Sequence, residues 1–141
     1  MSLVGTHHVR ALKSALKKAT MLWPAISHRM ELRHQTLKLR YWGHRHETDT
    51  GNTVIDLDYQ SIRSMPASGV YELRLDDTIG GLRNIRVIFL TPPGDWEPTF
   101  VTPLKLLWIL EAFPKTRNDF SKGDIARFTA LRATVKQRFY T

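Results

Sequence analysis

The sequence predicts an α+β fold, in which an N-terminal helical hairpin packs on a small, twisted, mainly antiparallel sheet of three or four strands with a C-terminal helix beside it. Three observations predict this fold. Apolar residues recur at helical spacing before residue 43, alternate with polar residues from residue 70 onward, and return to helical spacing near the end. We expect one domain over residues 1–141, with a helical part over 1–68 and the sheet and last helix over 69–141, because this length suffices for a single core.

Two amphipathic helices are predicted in the N-terminal part. The first covers residues 8–22. The second begins at Pro24, since proline is tolerated in a first helical turn, and ends near Gly43. The predicted buried face of the first helix consists of Val9, Leu12, Leu16, Ala19 and Trp23. That of the second consists of Ile26, Met30, Leu37 and Tyr41.

Three strands are predicted in the second half, over residues 70–75, 85–90 and 106–113. The first two alternate between apolar and polar positions, as expected of antiparallel strands, and the face that remains open should be basic.

The turn between the first two strands decides which side chains face each other. A loop of odd length centred on Gly80 places Arg74 directly opposite Arg86. A two-residue turn places Arg74 opposite Val87 instead. A pair of facing arginines therefore depends on the register.

The last helix has a recognisable start. Ser121 is followed three residues later by Asp124, the spacing of a capping box. A stripe of apolar residues then recurs at helical spacing. Its members are Ile125, Phe128, Leu131 and Val135.

Charge and composition narrow the classes of function. The net charge of +8 favours a polyanionic partner, and the basic residues concentrate at the two ends of the chain: residues 1–50 carry nine Lys/Arg and three acids, and residues 101–141 carry eight and three. The chain has no cysteine, which excludes disulfides and a cysteine nucleophile. Its longest apolar run, residues 106–110, is too short to span a bilayer, so we expect a soluble, cytoplasmic protein.

The order of strands, cationic segment and final helix between Val70 and Arg138 resembles the HigB-like, phage-derived branch of the RelE/ParE toxin superfamily. The resemblance is carried by Glu72-Leu73-Arg74, by Arg86-Val87-Ile88-Phe89 and by Ala112-Phe113-Pro114-Lys115. It implies the toxin of a type II toxin-antitoxin pair that cleaves mRNA on the ribosome as a metal-independent endonuclease without a cofactor. The implied partners are the ribosome with its mRNA, a helix-turn-helix (HigA-like) antitoxin, and operator DNA bound through that antitoxin.

The resemblance also implies the site residues. RNA cleavage without metal requires an activated 2′-hydroxyl, a stabilised charge on the phosphate and a protonated leaving oxygen. Arginine and lysine can stabilise the charge on the phosphate. The implied catalytic residues are Arg74, Arg86 and Lys115, and the implied RNA-binding residues are Arg83, Arg117 and Lys122.

Glu111 departs from the family pattern. Relatives often have a histidine within a Leu-His-x-Phe segment of the last strand, whereas this chain has Leu110-Glu111-Ala112-Phe113. Two interpretations stay open at this point. Glu111 is either a base for the 2′-hydroxyl or the partner of Lys115 in a structural salt bridge.

Two other functions remain open. The first is a RelE-fold protein that binds nucleic acid or gyrase and has no nuclease activity, as the missing histidine would allow. The second is a plain RNA- or DNA-binding module whose helices, through Lys13, Lys17 and Lys18, contact phosphates.

Overall fold

A computed structural model describes residues 7–37, 58–62, 64–66, 68–75, 85–92, 96, 105–114 and 120–140. The predicted α+β class is confirmed. The elements in chain order are strand β1 (His7–Ala11), helices α1 (Lys13–Leu22) and α2 (Ile26–Leu37), strands β2 (Asp58–Ser61), β3 (Val70–Leu75), β4 (Ile85–Leu90) and β5 (Lys105–Pro114), and helix α3 (Lys122–Phe139).

The strands form one mixed sheet in the order β1-β5-β4-β3-β2. Neighbouring strands are antiparallel except β1 and β5, which are parallel. The sheet has five strands rather than three or four, because β1 and β2 each add a short strand at one edge. The three strands predicted from the sequence form its centre.

Strand β1 corrects the prediction that the first helix begins at residue 8. Val9 and Ala11 are partly buried while His8 and Arg10 are exposed, which is the alternation of a strand. The helix begins only after Leu12, whose backbone is extended and whose amide donates to the carbonyl of Ile109 in β5 at 3.0 Å. A short apolar run fits the helical period and the strand period alike, and pairing with β5 selects the strand.

The buried faces of α1 and α2 differ from the predicted ones. Trp23 is buried as predicted, but Leu16 is 57% exposed, Ile26 68% and Met30 66%. Leu32 is the buried apolar residue of α2. The predicted faces at Leu16, Ile26 and Met30 were therefore wrong, because helical periodicity identifies an apolar stripe without showing what covers it. Tyr41 and Gly43 lie outside the described residues.

Both faces of the sheet are covered at its centre. All six residues of β4 are buried. Helix α1 lies against β5, and the ring of Phe128 in α3 lies 6.0 Å from that of Phe113 in β5. Because Phe113 is opposite Arg86 in the β4–β5 register, α3 covers the sheet face that carries Arg86. The expectation of an open basic face was wrong at β4.

Helix α3 begins as predicted. The Asp124 amide donates to Ser121 Oγ, and the Ser121 amide donates to Asp124 Oδ2, each at 3.0 Å. Phe128 and Val135 are fully buried, and Ile125 and Leu131 are partly buried. The capping box and the apolar stripe are both confirmed.

Gly69 lies at the turn into β3, with a φ of +78°. Its carbonyl accepts a hydrogen bond from the Thr91 amide at 2.8 Å, which links the turn to the end of β4. A Cβ at residue 69 would clash with the Thr91 carbonyl oxygen. The turn therefore requires glycine for its backbone conformation and for its close approach to β4.

We expect Gly69→Ala to lower the free energy of unfolding by at least about 1–3 kcal/mol, through backbone strain and displacement of Thr91. Gly123→Ala is the matched control, because a Cβ at that position meets only Ser121 Oγ, at 3.7 Å. Alanine there should leave stability unchanged or raise it by up to about 1 kcal/mol. Urea unfolding measures both variants, and equal stability of the two would contradict this account of the turn.

Candidate functional site

Arg74 and Arg86 face each other across β3 and β4. The register pairs Leu75 with Ile85 and Arg74 with Arg86, as an odd-length loop predicts. Directly opposed residues of an antiparallel pair point to the same face of the sheet. The cationic pair that the sequence left dependent on the turn is therefore present, although Gly80 itself lies outside the described residues.

Glu72 lies on the same face as this pair, two residues before Arg74. Its Oε1 accepts from Arg74 Nε at 3.1 Å and lies 3.1 Å from Arg74 Nη2. Its Oε2 lies 4.0 Å from Arg86 Nε. One carboxylate thus lies near two guanidinium groups, which leaves the cluster with a net charge of +1.

The two arginines differ in their access to solvent. The Arg74 side chain is 38% exposed, and that of Arg86 is 8% exposed. Arg86 Nη1 also donates to the carbonyl of Ile85 at 3.4 Å. The Arg74 side chain is therefore partly open to solvent, whereas that of Arg86 lies beneath the surface.

Glu111 forms a second charged cluster on β5. Its side chain is only 5% exposed. Arg127 of α3 donates through Nε to both carboxylate oxygens, at 2.9 and 2.8 Å. Lys18 of α1 donates to Oε1 from the other side. Among the described residues Glu111 is thus bridged to α1 and α3. Lys115 lies outside them, so its predicted salt bridge with Glu111 stays a prediction.

Aromatic rings enclose part of this second cluster. The Lys18 ammonium lies 5.3 Å from the centre of the Phe113 ring, and the Arg127 guanidinium lies 5.4 Å from the same ring and 5.3 Å from that of Phe128. These distances suit cation–π attraction. The two cations are thus fixed by Glu111 and by the rings, so the cluster has the character of a structural link between helices.

Asp124 connects the Glu111 cluster to the start of α3. Its Oδ1 lies 3.1 Å from Arg127 Nη2. Burial opposes ionisation of Asp124, but hydrogen bonds with Ser121 and Arg127 outweigh it and hold the pKa of this carboxyl below its usual value. Burial likewise opposes the charge of Arg127, but the carboxylates of Glu111 and Asp124 raise its pKa.

The remaining predicted site residues divide into two groups. Lys122 is exposed at the first residue of α3. Arg83, Lys115 and Arg117 lie outside the described residues, so their roles stay predictions. Among the described residues the structure joins Arg74 with Arg86 and separates both from Glu111, which pairs with other elements.

Sequence reasoning missed three members of these clusters. Glu72 had a usable signal, because residues two apart in a strand share a face and Glu72 precedes Arg74 by two. No sequence signal placed Lys18 beside Glu111, because 93 residues separate the two. Arg127 lies 16 residues from Glu111, in an element whose placement could not be read from spacing.

Within the described part of the chain, no group of three or more histidine or acidic side chains is placed to hold a metal ion. No helix in that part is long and apolar enough to cross a membrane. No protein-family model, curated protein or solved structure matches the chain. The features of the described residues that bear on function are therefore the two charged clusters and the charged surface of the helices.

We expect Glu111→Gln to lower the free energy of unfolding by about 1–3 kcal/mol, because it leaves Lys18 and Arg127 facing a neutral amide. The expected loss is smaller than that for a fully buried ion pair, because the side chains of Lys18 and Arg127 are each 39% exposed. Lys18→Met should also destabilise, whereas the exposed neighbour Lys17→Met should change stability by less than about 0.5 kcal/mol. Urea unfolding with no loss for Glu111→Gln would contradict a structural role.

Asp124→Asn should show a stability cost that depends on pH. Because the folded pKa of Asp124 lies below the unfolded value of 3.8, the ionised carboxyl stabilises the protein above pH 3.8, and that contribution disappears as the pH falls through the folded pKa. We expect a cost of about 0.5–2 kcal/mol near neutral pH that shrinks below pH 3.8. Ser121→Ala also removes the acceptor of the Asp124 amide, a contact that does not titrate, so a larger part of its cost should persist in acid. Urea unfolding of both variants, near neutral pH and below pH 3.8, measures the two costs. Equal dependence of the two costs on pH would contradict the role given to the Asp124 carboxyl.

Proposed function

We propose that this protein is the toxin of a type II toxin-antitoxin pair and acts as a ribosome-dependent, metal-independent mRNA endonuclease. The single observation that carries the proposal is the cross-strand pair Arg74–Arg86 beside Glu72, with the Arg74 side chain 38% exposed. The resemblance to the RelE/ParE superfamily through these same residues supports it. So does the α+β fold class, which is the class that the resemblance implies.

The chemistry proposed for the pair is stabilisation of charge on a phosphodiester. Attack by a 2′-hydroxyl adds negative charge to the phosphate oxygens, and a fixed guanidinium beside them lowers the energy of that state. Arg74 would bind the phosphate directly. Glu72 would hold the planar group of Arg74 in one orientation, because it accepts from its Nε. Arg86 would act as a positioning residue that adds positive potential from beneath.

The exposed cations would bind the RNA backbone and the ribosome. Lys122 is exposed at the start of α3, and Lys13 and Lys17 are exposed on α1. Their contribution would be positional and dependent on salt, since phosphate contacts carry no sequence information. Lys115 and Arg117 remain predicted as catalytic and RNA-binding residues, respectively, and Arg83 as an RNA-binding residue.

The proposed partners follow from the resemblance alone. They are mRNA on the ribosome, and a helix-turn-helix antitoxin that binds operator DNA on behalf of the pair. The proposed location is the cytoplasm, where the ribosome is. The high positive charge supports a polyanionic partner of this kind.

A second candidate is a protein of the same fold that binds nucleic acid or gyrase without cleaving RNA. Glu111 favours it, because Lys18 and Arg127 already hold both carboxylate oxygens in place of an acid-base histidine. The burial of Arg86 favours it too. In this candidate Arg74 would contact phosphate without a reaction.

We expect induced expression of the wild type in a bacterial host to arrest growth and to create new 5′ ends within the reading frames of cellular mRNA. Arg74→Ala should reduce cleavage by about 100-fold or more, because it removes the phosphate contact. Arg10→Ala is the matched control, since Arg10 is exposed on β1 and away from the pair, and it should retain cleavage. Arg86→Ala should reduce cleavage as well. Because Arg86 is buried, this loss is evidence for the site only if urea unfolding shows that the variant is folded.

Normal growth with intact mRNA at full expression of folded wild type would contradict the endonuclease. Growth arrest without new mRNA ends would favour the second candidate. Full cleavage by a folded Arg74→Ala protein would contradict the assignment of the site while leaving an endonuclease in place.

A further inference from the structure

A groove of about 470 Å³ lies between α1, α2 and the sheet. The sheet contributes Val87, Ile109 and Ala112 to its lining. Val87 follows Arg86 in β4, and consecutive residues of a strand point to opposite faces of the sheet. The groove is therefore separate from the arginine pair proposed to bind phosphate. Its volume is in the range of sites that bind a small molecule.

The lining of the groove is mostly aliphatic. Among the described residues that line it, only Thr20, Arg29, Arg33 and Thr36 carry polar side chains, and none is aromatic or acidic. Both threonine hydroxyls donate to a carbonyl of their own helix, Thr20 at 2.9 Å and Thr36 at 3.0 Å, so neither has a proton left for a ligand. This lining offers contacts to a saturated chain and no ring on which a nucleic-acid base could stack.

Arg29 provides the polar end of the groove. Its Nε is buried and has no hydrogen-bond partner in the part of the chain that the structure describes. Its Nη2 donates to the Pro24 carbonyl at the long distance of 3.5 Å. A buried N–H without an acceptor is costly, and a guanidinium pairs best with an oxyanion through two parallel hydrogen bonds. A ligand of the groove should therefore carry anionic oxygens.

The charge of the groove favours a carboxylate over a phosphate monoester. Arg29 and Arg33 are the cations among its described lining residues, and Arg33 is exposed to solvent. A carboxylate carries one negative charge and two oxygens, which a single guanidinium can satisfy. A phosphate monoester carries nearly two charges and three oxygens, and some of those oxygens would lack donors because the threonine protons are already used.

Leu16 of α1 shows that the groove opens to solvent. It lines the groove and is nevertheless 57% exposed. A small molecule can therefore enter beside it, and an aliphatic chain in the groove would remove part of the Leu16 side chain from water. Burial of apolar surface is the main favourable contribution to such binding.

We infer that this groove binds an aliphatic monocarboxylate such as a medium-chain fatty acid. The carboxylate pairs with Arg29 through Nε and an Nη nitrogen, and the chain lies against Ala15, Leu32 and the sheet. The inference depends on the groove alone and goes beyond the proposed RNA cleavage. A protein of this fold without nuclease activity would keep the site.

The test is titration of the full chain with octanoate, decanoate and dodecanoate, below the concentrations at which they form micelles, followed by isothermal titration calorimetry. We expect saturable binding of one molecule per chain, with an affinity that rises about tenfold for each pair of added methylenes. Octanol is the matched uncharged ligand. It should bind at least about tenfold more weakly than octanoate, because it cannot form the charged hydrogen bonds to Arg29.

Two variants place the ligand in the groove. Arg29→Gln should weaken decanoate binding at least about tenfold, because it removes the charged partner of the carboxylate. Leu16→Glu should weaken it similarly, because it adds a like charge beside the ligand. Urea unfolding should show both variants folded, since Leu16 is exposed and the Arg29 Nε loses no partner among the described residues.

Two matched controls change the same residue types outside the groove. Arg10 is exposed on β1, and Met21 is 75% exposed on α1; neither lines the groove. Arg10→Gln and Met21→Glu should each change decanoate affinity less than about twofold.

Several results would overturn the inference. One is the absence of saturable decanoate binding by the folded wild type. Affinity that does not depend on chain length would reduce the site to an ion site, and equal binding of octanol and octanoate would remove the role of Arg29. Affinity unchanged by both Arg29→Gln and Leu16→Glu would place the fatty acid elsewhere on the protein. Tighter binding of decyl phosphate than of decanoate would assign the groove to a phosphate ligand instead.

Discussion

The buried carboxylate of Glu111 is the constraint on which the arrangement of helices depends. It lies on β5, opposite Ile88 of β4, and binds Lys18 of α1 and Arg127 of α3. A buried charge is tolerated only when it is paired and hydrogen-bonded, so both helices must bring their cations to the same point. The ring of Phe113 lies beside both cations and limits their movement.

The basic side chains near the sheet belong to two different clusters. Lys18 and Arg127 both bind Glu111, whereas Arg74 binds Glu72, and the side chains of all three cations are partly exposed. The basic side chains thus differ in the carboxylates that they bind, and net charge alone does not distinguish them. The proposed activity depends on the Glu72–Arg74–Arg86 cluster.

The sequence predicted what local chemistry determines. Ser121 and Asp124 satisfy each other's amides within one turn, so the start of α3 could be read directly. The facing of Arg74 and Arg86 followed from whether the loop had an odd or even length. Edge strand β1 was not predicted because Val9 fits two periodicities, and the bridge between Glu111 and Lys18 was not predicted because 93 residues separate the two in the chain.

The most direct test is cleavage of ribosome-bound mRNA by purified protein in the presence of a metal chelator, with the wild type beside Glu111→Gln and Arg74→Ala. We expect cleavage by the wild type, comparable cleavage by Glu111→Gln at a temperature where it is folded, and loss of cleavage in Arg74→Ala. Absence of cleavage by the wild type would contradict the endonuclease. A folded Glu111→Gln protein that is inactive while Arg74→Ala remains active would contradict the roles given to the two clusters.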